Sequence, residues 1–188
     1  MILTNLSPVV LRTERLDVRL WCDDEAERVF DIYARDEVAQ WLGATPRPMA
    51  SLQEAELAIK RWRERREADP QHGLYAIVPR DTGIPAGSVL LAVLPDAAGV
   101  PTGDVEVGWH LHPDSWGNGY ATEAARALVA RAFADGAPRV HAVVRPGNLR
   151  SMAVCKRLGM EHHGRTNRYY GIETEHFTVE APSSDEAG

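Results

Sequence analysis

Apolar and polar residues alternate with a period of two from Asp104 to His110, with Val105, Val107 and Trp109 on one face and Asp104, Glu106 and Gly108 on the other. That pattern predicts a strand that presents Glu106 from one side and ends near His112, because Pro113 cannot continue a ladder. The period then changes. Ala121, Ala124, Ala125, Leu128, Val129, Ala132 and Phe133 recur at helical spacing, which predicts an amphipathic helix packed on a sheet and stopped by Gly136.

The same reading applied to the rest of the chain gives a mixed α/β (α+β) fold. Alternation over residues 13–20 predicts a first strand. Ala26, Val29, Phe30 and Tyr33 predict a helix over 25–34, with Asp23 and Asp24 as candidate N-caps. A short helical turn follows over 37–42, then a loop. Ser51 and Glu54 form a capping box for a helix whose core face is Leu52, Ala55, Ile59 and Trp62. Residues 74–78 and 86–94 make an antiparallel hairpin turned at Asp81 to Gly83, and 95–103 reads as a loop. The run 139–145 predicts a strand parallel to the central one. Asn148 caps a helix ending at Leu158, with Gly159 and Met160 as its C-terminal motif, and 161–170 and 175–180 close the sheet. The sum is about six or seven mostly antiparallel strands with about four helices, in a single domain over 1–180 followed by a polar tail at 181–188.

Composition narrows the class without naming a chemistry. With 44% apolar and 26% charged residues in 188, the chain is an ordinary soluble globular one with a sizeable core. A formal charge of −6 argues against phosphate-driven nucleic-acid binding. Lys60, Arg61, Arg63, Arg65 and Arg66 crowd one helix, but Glu54, Glu56, Glu64 and Glu67 interleave, so the run reads as a solvated face. No stretch reaches membrane-spanning length, and the N-terminal apolar run is broken by Pro8 with no basic region before it. Cys22 and Cys155 are too few for a disulfide scaffold or a zinc site, which fits a reducing cytoplasm and no metal.

Chemistry concentrates between the central strand and its helix, at Trp116-Gly117-Asn118-Gly119-Tyr120-Ala121. Two glycines and an alanine let the backbone approach a ligand, and the amides at a helix start carry about half a positive charge. The pattern suits an anion but also an ordinary tight turn. It is not a dinucleotide fingerprint, since Thr122 stands at the third glycine position, nor a Walker loop, since no Lys-Ser/Thr pair follows.

With Glu106-Val-Gly-Trp before it and Arg145-Pro-Gly-Asn148-Leu-Arg-Ser151 and Lys156-Arg-Leu-Gly-Met160 after it, this loop resembles that of the GNAT superfamily of acyl-CoA-dependent N-acetyltransferases. The RimJ/RimL-like branch, which acetylates N-terminal amines of ribosomal proteins, is the most similar. It shares an opening phrase of the form found at Leu11 to Leu16, and the resemblance runs from about Leu11 to Val179. It implies the GNAT fold, whose central parallel strands splay to admit the pantetheine arm, and acetyl-CoA as co-substrate. Trp116, which takes the usual Gln/Arg place, Gly117, Asn118, Gly119, Tyr120, Ala121 and Thr122 would hold the diphosphate. Trp109, His110 and Leu111 would flank the thioester, and a backbone amide near Trp109 or His110 would meet the oxyanion. Asn148 reads either as a cap alone or also as a cofactor contact.

Acetyl transfer to an amine needs a group to take its proton and one to serve the departing thiolate. Glu106 is the candidate base, against the plain reading of a solvated strand carboxylate, with His110 and His112 as rivals on what reads as a solvated rim. Similar enzymes place a Tyr acid on the last helix, where this chain has Cys155. Ser151 is the expected replacement, with Tyr169 and Tyr170 as alternatives and Cys155 as apolar filler. Trp41 and the 43–50 loop, with Glu106 and Tyr169, are candidate contacts for the amine acceptor, a peptide N-terminus or a small molecule. Asp23, Asp24, Glu25, Asp36 and Glu37 would suit an aminoglycoside-type polycation or simply cap helices. The missing Tyr leaves open an acyl-CoA-binding module with little turnover, and a homodimer is also open.

Overall fold

The computed structural model describes residues 8–182, so the first seven residues of the N-terminal apolar run and the tail from residue 183 lie outside the described residues. Eight strands form one sheet in the order β1-β2-β3-β4-β5-β6-β8-β7. They are β1 Val9–Arg12, β2 Leu16–Arg19, β3 Gly73–Pro79, β4 Gly87–Pro95, β5 Pro101–Leu111, β6 Arg139–Val144, β7 Glu161–Thr166 and β8 Thr174–Glu180. Every neighbouring pair is antiparallel except β5 and β6. That parallel pair is in register only at Val105 with Val140 and Glu106 with His141, so the strands part beyond Glu106 and leave the far end of β5 without a β6 partner.

Helices cover both faces. On one lie α1 (Ala26–Tyr33), α2 (Asp36–Ala39) and α3 (Leu52–Ala68), and on the other α4 (Tyr120–Ala134) and α5 (Leu149–Arg157). The strand β3 shows why. Tyr75 and Ile77 pack into the core that holds Leu128 and Val129 of α4, while Ala76 and Val78 join Val29, Ile32, Ala55 and Ile59 on the opposite side. A strand buried on both faces is a continuous apolar run, as residues 74–78 are. Leu128 is fully buried, so its truncation to Ala would cost about 2–5 kcal/mol.

Several expectations are corrected. Among the described residues there are eight strands and five α-helices, because residues 9–12 form an extra edge strand and the 37–42 turn is a one-turn helix, α2. The first alternating segment does not start a strand at Thr13. The Thr13 hydroxyl accepts from the Leu16 amide at 3.0 Å, a local turn that separates β1 from β2. Neither Asp23 nor Asp24 caps α1; both sit in a 3₁₀ turn at Asp23–Glu25, and Glu25 accepts from the Cys22 amide at 2.8 Å. Ser51 caps α3 by accepting from the Glu54 amide, but Glu54 reaches back to the Ala50 amide rather than that of Ser51, and Leu52 is 39% exposed instead of facing the core. The 95–103 loop is shorter than expected, since β5 resumes at Pro101.

Candidate active site

The parting of β5 and β6 opens a cavity of about 1040 Å³, walled by the end of β5, the loop before α4, the first turns of α4 and α5, and the segment of α2 and Trp41. Its chemistry begins at α4. Gly117 and Gly119 have φ of 81° and 80°, a region in which any side chain is strained, and Gly119 is the N-cap residue. Among the described residues no side chain caps α4, so its first amides have no side-chain partner, and Gly117, Gly119, Tyr120, Ala121 and Thr122 line the cavity. By contrast Asn148 closes α5, its Oδ1 accepting from the Ser151 amide at 3.2 Å.

Residues to which the sequence assigned no role join Trp116 in holding this corner. The Glu123 carboxylate, on the first turn of α4, accepts from the Thr13 hydroxyl at 2.6 Å, the Arg15 amide at 2.9 Å and Arg15 Nε at 2.7 Å. The other end of the Arg15 guanidinium donates to the Asn118 carbonyl at 3.0 Å. The turn between β1 and β2 is thus tied to the loop, which gives the Thr-Glu-Arg phrase at 13–15 a physical purpose. Trp116 donates its indole N–H to the Leu111 carbonyl at 3.0 Å, and the Arg150 guanidinium lies 4.3 Å from its ring, a stacking that a Gln or Arg at 116 could not offer. Arg145, at the end of β6, donates to the Ala44 carbonyl at 3.0 Å and holds the loop beyond Trp41 against the opening.

Glu106 is not a solvated carboxylate. It is 8% exposed, is not among the residues that line the cavity, and accepts from the Tyr170 hydroxyl at 2.5 Å. Burial pushes its carboxyl up to about 7, against the pull of that hydrogen bond. Tyr170 reaches it from the β7–β8 connection with φ of 58°, the one positive-φ residue other than glycine among the described residues. Tyr169, expected at the acceptor, is fully buried and outside the cavity lining. Its hydroxyl donates to Asp104 at 2.8 Å, because the turn sends consecutive tyrosines to different partners.

The two histidines also depart from a solvated rim. His112 is 2% exposed, and its Nδ1 accepts from the Asp114 amide at 3.2 Å. His110 is half-buried, lines the cavity, and turns Nδ1 to the Tyr33 hydroxyl at 3.1 Å. Burial drives it down to about 4, so it is neutral near pH 7. Trp109, Leu111, Asn148, Ser151 and Trp41 all line the cavity. Cys155 does not: it is fully buried and its thiol is pushed up to about 12 by burial, as an apolar filler should be. Of the acidic residues near the acceptor side, Asp23 pairs with Arg63 and Glu25 with Arg19, both at under 3 Å, while Glu37 lines the cavity. Among the described residues no cluster of three or more His, Cys, Asp or Glu is arranged to hold a metal ion, and no helix is long and apolar enough to cross a membrane.

Comparison with known proteins places these features in a family context. Residues 15–161 match the model of an acetyltransferase (GNAT) domain. The chain is 28% identical over 162 residues to the uncharacterized N-acetyltransferase YoaA of Bacillus subtilis (strain 168), covering 85% of this chain and 87% of that protein. A putative ribosomal-protein-serine acetyltransferase from Vibrio cholerae superposes with a TM-score of 0.73 at 25% identity, over 90% of this chain and 95% of the other. The RimL ribosomal L7/L12 alpha-N-protein acetyltransferase, solved in complex with coenzyme A, superposes with a TM-score of 0.74 at 15% identity, over 92% and 98%.

Proposed function

The chain belongs to the acetyltransferase (GNAT) domain family, acetyl-CoA-dependent enzymes, and from that premise we propose how its own residues carry an acetyl group to a primary amine by direct attack in a ternary complex. One observation carries the reading: α4 starts at a left-handed glycine with no side-chain cap, at the mouth of a cavity large enough for a pantetheine arm. The amides from Gly117 to Thr122 bind the diphosphate, Asn148 and Ser151 flank it, and Trp109, His110 and Leu111 run beside the thioester.

A primary amine is mostly protonated near pH 7, so a base must act before attack. Glu106, at about 7, is matched to that task, whereas His110, at about 4, is too weak an acceptor. Glu106 reaches the amine once the Tyr170 hydroxyl swings aside or a water bridges the two. The Ser151 hydroxyl, on the cavity wall, supplies a proton to the departing thiolate, whose conjugate acid has a pKa of about 8.5 and needs little help. Trp41 and Tyr170 frame the acceptor. The acceptor is a peptide N-terminus or a small-molecule amine, with the cytoplasm as its setting. Of the acidic residues weighed for a polycation, Glu37 lines the cavity, where Arg15, Arg126, Arg150 and Arg157 also stand, while Asp23 and Glu25 pair with arginines away from it.

The test is a screen of N-terminal peptides and small amines with acetyl-CoA, read by free-thiol release and by the mass of the acetylated product. Thiol release with an acceptor is the expected result. Binding of CoA with no release across the whole panel would overturn it.

A further inference from the structure

A chain of four buried or half-buried polar groups runs behind the cavity. The Trp21 indole Nε1 lies 3.1 Å from Ser88 Oγ, Ser88 Oγ lies 2.9 Å from Tyr33 Oη, and Tyr33 Oη lies 3.1 Å from His110 Nδ1. Trp21, Ser88 and Tyr33 are all buried, so each hydrogen must find an acceptor within the chain. An indole N–H can only donate, and this fixes the direction of everything after it. If Tyr33 also donated to Ser88, the Ser88 oxygen would accept twice and its own hydrogen would have no acceptor among the described residues. All groups are satisfied in one order: Trp21 donates to Ser88, Ser88 to Tyr33, and Tyr33 to His110 Nδ1.

From this we infer that His110 is held as the Nε2–H tautomer, a neutral hydrogen-bond donor turned into the cavity, where it grips a carbonyl oxygen of the reacting partners. Nδ1 accepts from Tyr33, so the proton of the neutral ring sits on Nε2, on the side of the ring away from α1. The depressed pKa agrees, since it keeps the ring from becoming a cation. His110 shares the strand face of Glu106, four residues further along β5, about 13 Å away. The base and the donor therefore work at separate points of one cleft. Trp21, Ser88 and Tyr33 are positioning residues that act through His110. The role rests on the thioester lying in this cavity, as proposed above; the tautomer does not.

The tautomer is read directly by ¹⁵N NMR of the ring nitrogens of His110 in the free protein at neutral pH. Nε2 is expected to be the protonated, pyrrole-type nitrogen and Nδ1 the bare one; a protonated Nδ1 overturns the assignment whatever the enzyme does. Tyr33→Phe, which deletes the last donor, should convert this into a mixture of tautomers. The partner oxygen is found with His110→Leu, compared with His110→Gln, whose amide N–H can still donate. An approximately ten-fold loss of acetyl-CoA affinity in the Leu variant, with CoA affinity unchanged and the loss largely recovered in the Gln variant, identifies the thioester oxygen. Unchanged affinities with a comparable rise in the KM of an acceptor peptide bearing a free N-terminal amine identify the acceptor's carbonyl. If neither change is seen, the role is overturned. Wild-type protein that bound neither CoA nor acetyl-CoA would overturn the reading of the cavity, with the tautomer still standing.

Discussion

Two helices start at the same cavity and start differently. α5 is finished by its own sequence, Asn148 accepting from the Ser151 amide, while α4 opens on Gly119 with its first amides bare. A side-chain cap typically stabilises a helix by about 1 kcal/mol, so an uncapped start next to a capped one is stability forgone at a chosen place. The rest of the corner compensates. Glu123 on the first turn of α4 gathers the Thr13 hydroxyl, the Arg15 amide and the Arg15 guanidinium, which fixes the helix start without covering its amides. On the proposed function, one end is built for folding and the other for binding.

Breaking the open start should have the largest effect. In Gly119→Glu, a residue at φ 80° must take a strained conformation and brings a carboxylate to the place kept for a diphosphate, so CoA affinity should fall more than about 100-fold by calorimetry while the protein stays folded. Retained affinity would remove the loop from the binding site. Next is Glu106→Gln, which should lower turnover by about 10²–10⁴ with acetyl-CoA affinity unchanged. In the wild type the carboxyl is protonated below about 7, so the rate should rise with pH through that value, and in the variant this limb should disappear. The same shift has a stability sign. The folded carboxyl holds its proton to about 7 and the unfolded one only to 4.5, so stability falls as pH rises across that window, by about 3 kcal/mol at most. Urea unfolding should therefore show Glu106→Gln gaining on the wild type between about pH 4.5 and 7, with the difference level above that.

Tyr170→Phe should act more gently. Losing the hydroxyl that favours the ionised Glu106 moves the acid limb to higher pH and lowers the rate at pH 7 several-fold, whereas an unmoved limb would detach Tyr170 from the base. Smallest is the capped start. Asn148→Ala should lower the Tm by roughly 2–4 °C, corresponding to about 1 kcal/mol, and leave CoA affinity within a few-fold. A large affinity loss there would make Asn148 a ligand contact as much as a cap.

Local rules carried far in this chain. The change from period two to helical period at 104–133, Gly136 as a stop, Asn148 as a cap and Cys155 as a filler are all matters of neighbouring residues, and each appears in the fold as read. The glycine loop was legible for the same reason, since positive φ at Gly117 and Gly119 is a backbone demand that the sequence states outright. Thr13 and Arg15 were visible as part of a phrase, but their partner Glu123 lies more than a hundred residues away and no periodicity connects them.

What the sequence determined by itself was therefore the order of elements and the bare helix start, because hydrophobic period, glycine and capping act within a few residues. What only the tertiary structure decided was the environment of each titratable group. Whether Glu106 is solvated or buried, which of Tyr169 and Tyr170 reaches it, and which nitrogen of His110 bears the proton all depend on side chains brought in from other strands and helices. Desolvation and hydrogen-bond direction are properties of a packed neighbourhood, and no single segment contains one.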